Sequence, residues 1–510
     1  MYTPDSVVYL CNVPLEADQK NQLHFGSVSE QTNYFESTVV KELTGFTFVR
    51  RDSAIRCPEN IEDLYNCNYV MYQNSHFTDK WFYAFITELE YLNDAVTAIH
   101  IKTDVFQTWM FEAEILPSFV VREHTNNDTI GANTIPENLE IGPYVAYSST
   151  KISLTENTGA NSGCDIVIAY VDTENGGAMY NGVFTGLTYL SVHANEAGVN
   201  QLNELIASLT ETNQLDRVAG MWQVPAWIVH TGSQNIGISK GVASLDGYAP
   251  RNNKLYTYPY CYMGISNHCG DEAKYQFELF GGAECTFTMR GAVSNNTKVI
   301  LTPTNYKNFD YDIEDSITMG NFPQCTWISD SYAQYVGANY YRKNAYELQL
   351  ATTIPISSIG SAVNMASNGN IGGAFNSVVN YGETVHSYIA KQLDYANMAP
   401  NIHNLNGDET LNISLDIVEF EAKKYTIRAE YARVIDDYFS MFGYATNRVK
   451  TPNIGTRQNW NYVQTVDIQI TGAIPNDDMN ELRDIYNSGV TIWNNPETFG
   501  DYSQNNGIVS

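Results

Sequence analysis

Trp81-Phe-Tyr-Ala-Phe-Ile-Thr-Glu-Leu-Glu-Tyr91, then Leu92-Asn93-Asp94-Ala95, then Val96-Thr-Ala-Ile-His-Ile-Lys-Thr-Asp104 is the stretch on which the fold class turns. In its second arm Thr97, Ile99, Ile101 and Thr103 alternate with Ala98, His100, Lys102 and Asp104. A strand sends successive side chains to opposite faces, so β-branched residues at period two mark a half-buried strand. Asn93-Asp94 between two such runs marks a hairpin, because both residues tolerate turn backbone. Residues 1–145 accordingly read as the N-terminal part of a β-rich domain.

Outward from this hairpin the pattern changes several times. Residues 146–250 read as an inserted domain, with a short apolar strand at Asp165–Tyr170. Leu202, Leu205, Ile206 and Leu209 stand at helical spacing within Asn200–Leu209. Strand patterning returns over 251–345, at Lys254–Tyr262 and Ala283–Arg290. Asp310, Asp312, Glu314 and Asp315 then read as a solvated acidic loop. The C-terminal segment, 401–510, carries two helices. Tyr431, Val434, Ile435, Tyr438, Phe439 and Phe442 form the stripe of the first, which Gly443 stops. Val463–Thr471 reads as a strand. Asn476 is the expected cap of the second helix, with Asp477 and Asp478 in its first turn and Met479, Leu482, Ile485 and Tyr486 on its buried face. Gly489 ends it, and Val490–Trp493 is a further strand. The fold class is α+β, β-rich and multidomain.

The chain has 510 residues, 43% hydrophobic and 13% aromatic, enough to build real cores. Its 57 acidic against 28 basic residues leave a net charge of −29, spread along the sequence. That surplus argues against tight binding to nucleic acid, which needs Lys and Arg on phosphates. It suits a wall past which nucleic acid slides without sticking. The 36 tyrosines, with abundant Asn and Thr, suit strands and large polar interfaces. The eight cysteines are scattered with no C-x-x-C, as expected of reduced thiols in a protein made in a cytoplasm. Met1-Tyr-Thr-Pro-Asp-Ser lacks the basic and apolar regions of a secretory signal, and no run of 18 apolar residues occurs.

Chemical motifs are weak. Gly237-Ile-Ser-Lys-Gly241 matches the nucleophile-elbow pattern, but that motif needs a strand before it and a helix after it, and neither flank reads so. The carboxylate pairs Glu88/Glu90 and Glu112/Glu114 stand two apart and share a strand face, as glycosidase pairs can. In a chain this acidic they read as a charged outer face or the lining of a channel. Cys261, His268 and Cys269 lack zinc spacing. No catalytic residue, metal site or cofactor is expected.

Leu348–Gly382 differs in composition from everything around it. It holds no Asp, Glu, Lys, Arg or His. Its apolar residues, Ile354, Ile356, Ile359, Val363, Met365, Ile371, Phe375, Val378 and Val379, are diluted by Gly, Ser and Asn. The stretch is too weakly apolar for a committed membrane helix and too poor in charge for a surface linker.

Tyr69-Val-Met-Tyr-Gln73, Lys80–Tyr91, Asp104-Val-Phe-Gln-Thr-Trp-Met-Phe111 and Phe119-Val-Val-Arg-Glu-His124 closely resemble the tail knob family, the distal tail proteins of small podophages that infect Gram-positive bacteria. Tyr256-Thr-Tyr-Pro-Tyr-Cys261, Ala429-Glu-Tyr431, Asn447-Arg-Val449, Asn461-Tyr-Val-Gln-Thr465 and Gly489-Val-Thr-Ile-Trp493 extend the resemblance in the same order. It implies a tail-tube protein made in the host cytoplasm and built into the virion tail, with β-barrel-like tube domains in a hexameric ring. It implies a non-enzymatic structural role in genome ejection. Its implied partners are further copies of itself (a homohexamer), lower collar and tail-tip proteins, the host membrane, and phage DNA in transit without specific binding. It also implies a hydrophobic loop that plugs the channel and then engages the host membrane; residues 346–400, with the nine apolar residues above, stand where that loop belongs. The insert at 146–250 is shorter than the family's and the loop more polar. The alternatives are a tail-associated cell-wall glycan hydrolase, resting on the carboxylate pairs, and a receptor-binding tail fibre, resting on the Tyr-rich composition.

Overall fold

The computed structural model describes residues 6–44, 54–74, 80–170, 179–180, 183–184, 188–211, 218–268, 270–292, 298–320, 322, 324–325 and 419–509. The chain divides into two compact units. The first takes residues 1–142, 248–256 and 429–510, and the second takes 143–247 and 257–428. The 146–250 stretch thus lies within the second unit up to residue 247.

In the first unit the opening stretch forms its hairpin. Trp81–Asn93 and Val96–Thr103 pair antiparallel, with Asn93 opposite Val96. Thr97, Ile99 and Ile101 are buried. The hairpin lies inside a six-stranded sheet of order Val39–Thr44, Ser6–Cys11, Tyr69–Asn74, Trp81–Asn93, Val96–Thr103, Ala54–Cys57. Helix Val28–Ser37 packs on it. Ser27 caps that helix, its Oγ accepting from the Glu30 N–H at 3.2 Å, while Glu30 reaches back to the Gly26 N–H at 2.9 Å. Donors that the first turn leaves unpaired are thereby satisfied. Phe35 projects from its far end, stacked on Tyr69 with centroids 5.3 Å apart.

A second sheet of the same unit has the order Asn21–Leu23, Val490–Trp493, Trp460–Val466, Ser118–Glu123, Tyr444–Lys450. Trp460 and Trp493 join Phe25, Phe35, Tyr69 and Tyr83 in one aromatic core. Leu482, Ile485 and Tyr486 of helix Asn476–Ser488 fill another with Val463 and Val490.

Three local expectations change. Helix Ala429–Phe442 exists, but it buries Ala432, Ile435, Asp436 and Phe439 and leaves Val434 70% exposed. A carboxylate occupies the core face because donors surround it there, as described below. Asn476 is the first helical residue and Pro475 holds the cap position without a side-chain bond; Asp477 and Asp478 do lie in the first turn. Val463–Thr471 is interrupted at Asp467, whose φ is +50°, between Trp460–Val466 and Ile470–Thr471.

In the second unit, Tyr144–Ser153, Glu419–Ile427, Cys261–Ser266 and Glu272–Tyr275 form one sheet. Thr188–His193, Cys164–Tyr170, Val218–Pro225 and Gln324–Cys325 form a second. A third runs Ser233–Ser239, Glu284–Ala292, Lys298–Tyr306, Phe309–Tyr311. All three contribute to a shared core that includes Trp222, Trp227, Met263, Phe287 and Phe420. Helix Glu196–Glu211 buries Leu202 and Leu209 against Ile168 and Val192, at the expected spacing. Lys254–Tyr262 is not one strand. A 3-10 turn covers Asn253–Tyr256, at the end of the first unit's middle segment, and the strand begins only at Cys261, since Pro259 has no N–H to give a ladder. Leu348–Gly382 and its nine named residues lie outside the described residues.

Gly443 ends the first C-terminal helix at φ +65°, and a Cβ there meets the Glu123 carbonyl oxygen at 2.1 Å. Gly443→Ala should destabilise the protein by more than about 1 kcal/mol. Gly455→Ala, where a Cβ meets nothing within 4 Å, should cost less than about 0.5 kcal/mol. Urea unfolding midpoints of the two variants check this.

Candidate functional site

The first unit is built from three chain segments, and the shortest, Tyr248–Tyr256, has no strand or α-helix of its own to hold it. Carboxylates, two of them buried, hold it instead. Asp436, fully buried, accepts from the Tyr248 hydroxyl at 2.6 Å, from the backbone N–H groups of Arg251 and Asn252 at 2.9 and 3.0 Å, and from Asn252 Nδ2 at 2.8 Å. Asn252 Nδ2 also donates to Ser440 Oγ, one helical turn on, at 2.8 Å. Asp128 accepts from the Asn253 N–H at 3.2 Å and from the Tyr444 hydroxyl at 2.6 Å. Glu137 accepts from Lys254 Nζ and the Ala445 N–H, at 2.7 and 2.8 Å, and from Arg122. Both Lys254 and Glu137 side chains are only 2% exposed.

Burial sets the electrostatics of this joint. Desolvation raises the Asp128 carboxyl, against the hydrogen bond from Tyr444. It lowers the Lys254 ammonium, against the Glu137 contact. It also pushes the Tyr248 hydroxyl up to about 12, with help from Asp436. Next to the joint, His124 is neutral in a defined tautomer. Its Nδ1 accepts from the Tyr462 N–H at 2.7 Å and its Nε2 donates to the Ser440 carbonyl at 3.1 Å. Desolvation, with Arg457 close by, pushes this imidazole down to about 3.

The sequence reading missed both this joint and a second cluster in the other unit. There Asp165, 1% exposed, accepts at one oxygen from His193 Nδ1 (2.9 Å) and at the other from His230 Nε2 and Ser191 Oγ (both 3.0 Å). In both cases the available signal was an Asp in an otherwise apolar pattern, at Asp436 of the helix stripe and at Asp165 opening a strand.

The structure places the weighed motifs as follows. Ser239 ends a strand with no helix after it, and its Oγ accepts from the Gly241 N–H at 3.3 Å. Glu88 and Glu90 lie on the exposed half of their strand, Glu90 beside His100 at 3.1 Å. Glu112 binds Lys80 at 2.7 Å. Cys261 is buried, and among the described residues no group of His, Cys, Asp and Glu is placed to hold a metal. The acidic run at 310–315 is not all solvated: Asp312 is 7% exposed and pairs with Lys307, as does Asp315.

This β-rich, two-unit chain falls in the class of phage tail proteins, as its family matches show. Residues 4–114 match the family model of the caudoviral major tail protein N-terminus, and residues 228–507 match that of the Bacillus phage phi29 tail knob protein gp9 C-terminal domain. The second match spans more than half of the chain, and the chain belongs to this tail knob family. It is 26% identical to the tail knob protein gp9 of Bacillus phage B103, over 98% of this chain and 97% of that protein. It is likewise 26% identical to that of phi29, over 98% of both. The solved structure of the bacteriophage C1 tail knob protein gp12 superposes with a TM-score of 0.57 at 16% identity, covering 99% of this chain and all of that one. The protein is a structural component of the virion tail and not an enzyme.

Two outcomes are expected of the joint. Asp436→Ala orphans several buried donors and should cost at least about 3 kcal/mol; Asp437→Ala, whose side chain is 67% exposed, should cost less than about 0.5 kcal/mol. Denaturant titration separates the two.

His124 supplies the other. Its unfolded form titrates near 6.5 and its folded form near 3, so the unfolded state binds more protons between these values. Stability therefore falls as pH drops through that window, by up to about 1.4 kcal/mol per unit from this residue. Asp104, pushed up to about 6 by desolvation, acts in the opposite direction below pH 6. The difference between wild type and His124→Gln isolates the histidine. The variant should be less stable at pH 7 and lose stability less steeply between pH 6.5 and 4.

Proposed function

We propose that six copies of this chain form the tube at the tail tip through which the genome leaves the virion. In this reading residues 1–145, 251–345 and 401–510 build the tube wall, 146–250 is an inserted domain, and 346–400 is the plug that later engages the host membrane. The carrying observation is membership of the tail knob family together with the charge-free stretch Leu348–Gly382. Burying such a stretch in a narrow bore incurs no ion-desolvation cost. Each of Ile354, Ile356, Ile359, Val363, Met365, Ile371, Phe375, Val378 and Val379 contributes roughly 1.5–3 kcal/mol on full burial. Six copies acting together compensate for weak insertion per copy. The net charge of −29 suits a bore that repels phosphate and lets DNA pass unbound. The tube's other partners are the lower collar and tail-tip proteins.

Native mass measurement of the purified protein should give a hexamer with a central channel in negative stain; a monomer or trimer without a channel overturns the tube. Deleting residues 351–379 should leave that hexamer intact and abolish dye release from liposomes. Phage carrying the deletion should adsorb normally and fail to deliver DNA. Unaltered infection by that phage would reduce the segment to a linker.

A further inference from the structure

Among the described residues two strand edges of the first unit have no strand partner, and their side chains complement each other. The long hairpin strand Trp81–Asn93 is flanked on one side by Tyr69–Asn74 only as far as Phe85, the partner of Tyr69. Beyond it, among the described residues, Glu88–Asn93 pairs on one side alone, with Val96–His100. Tyr91 and Leu92 there are 53% and 42% exposed. Among the described residues the strand Tyr444–Lys450 is the outermost of the five-stranded sheet and pairs with Ser118–Glu123 alone. At its start the Ala445 N–H is taken by Glu137. Natural proteins seldom leave two such edges uncovered, because open N–H and C=O groups template pairing with another chain.

The alternation along each edge selects a partner. In Arg448-Val-Lys450, Arg448 and Lys450 share one face of the pleat and Val449 takes the other. Val449 stands opposite Phe119, which stands opposite Val466 on the next strand. These three are 68%, 41% and 50% exposed and make an apolar row across three strands. In Glu88-Leu-Glu-Tyr91, Glu88 and Glu90 share one face, and Leu89 and Tyr91 the other. Arg448 and Glu88 have no ion-pair partner among the described residues, whereas Lys450 binds Glu123 and Glu90 binds His100.

We propose that the Glu88–Asn93 edge of one copy adds to the Tyr444–Lys450 edge of the next. Edge to edge, the period of two sets Glu88 and Glu90 beside Arg448 and Lys450, and continues the Val466–Phe119–Val449 row with Leu89 and Tyr91. A slip of one residue drives carboxylates onto the apolar row, so register is specified. Two different edges meet, so the contact is heterologous and propagates from copy to copy until it closes. The occupant is a second copy of this chain because both complementary surfaces, acidic and basic, are on it. The inference deepens the tube reading and rests on its self-association.

The test uses the whole chain carrying Tyr91→Cys and Val449→Cys together, and each alone, treated with a short bis-maleimide. The double variant should give a ladder of covalent oligomers, and neither single variant should exceed the wild-type background. Separately, Arg448→Glu should raise the concentration needed for assembly severalfold, and Glu88→Arg in the same chain should restore it. A wild-type monomer in native mass measurement overturns the tube reading and this contact together. A wild-type hexamer whose double variant gives no ladder overturns the contact alone and leaves these edges to a different tail protein. Dimers from a single-cysteine variant indicate a two-fold contact and overturn it equally.

Discussion

The buried carboxylate of Asp436 is the interaction on which the first unit depends. A chain that leaves a unit and returns to it briefly, as at Tyr248–Tyr256, brings back too few apolar residues to be held by burial. Hydrophobic attraction is also non-directional and sets no register. A carboxylate that accepts from one hydroxyl, two backbone N–H groups and one amide admits a single placement of the segment. Asp128 and Glu137 repeat the device at Asn253 and Lys254. Each desolvated acid is costly alone and tolerable only because its donors are all supplied.

This changes how the acidic composition is understood. A surplus of carboxylates usually means a solvated face. Here Asp104, Glu123, Asp165, Asp436 and Asp478 are all below 9% exposed. Asp104 caps a helix and accepts from Tyr69; Asp478 accepts from the Trp109 indole at 2.9 Å; Glu123 binds Lys450 and the Asn453 N–H. Part of the negative charge is therefore scaffold, and counting it as surface overstates what a partner meets.

Where period and burial coincide, the sequence was legible. The hairpin, helix Glu196–Glu211, the stripe Leu482, Ile485 and Tyr486 and the strand Val490–Trp493 all follow from spacing alone. The pattern misleads where a buried carboxylate, a proline or a left-handed residue outranks it. Asp436 turned the helix stripe away from Val434, Pro259 broke the expected strand at Lys254–Tyr262, and Asp467 divided another. The joint was illegible for a further reason. Its members come from around positions 128, 252 and 436, and no local spacing carries contacts of such separation. Family resemblance supplied the tail knob identity, which no motif chemistry of the chain points to.

The discontinuity of the first unit has a consequence for the order of events in synthesis. Its central sheet needs Ser118–Glu123 from the beginning of the chain and Tyr444–Lys450, Trp460–Val466 and Val490–Trp493 from the end. Domains ordinarily fold as they leave the ribosome, N-terminal first. This unit cannot: until Tyr444–Lys450 and Trp460–Val466 have emerged, Ser118–Glu123 lacks its sheet neighbours, and until Trp493 has emerged the aromatic core is incomplete. Completion of this unit is thereby tied to synthesis of the chain as far as Val490–Trp493. A nascent chain that stops short of these residues has Trp460–Val466 without one of its two sheet neighbours, so the topology itself separates finished copies from unfinished ones.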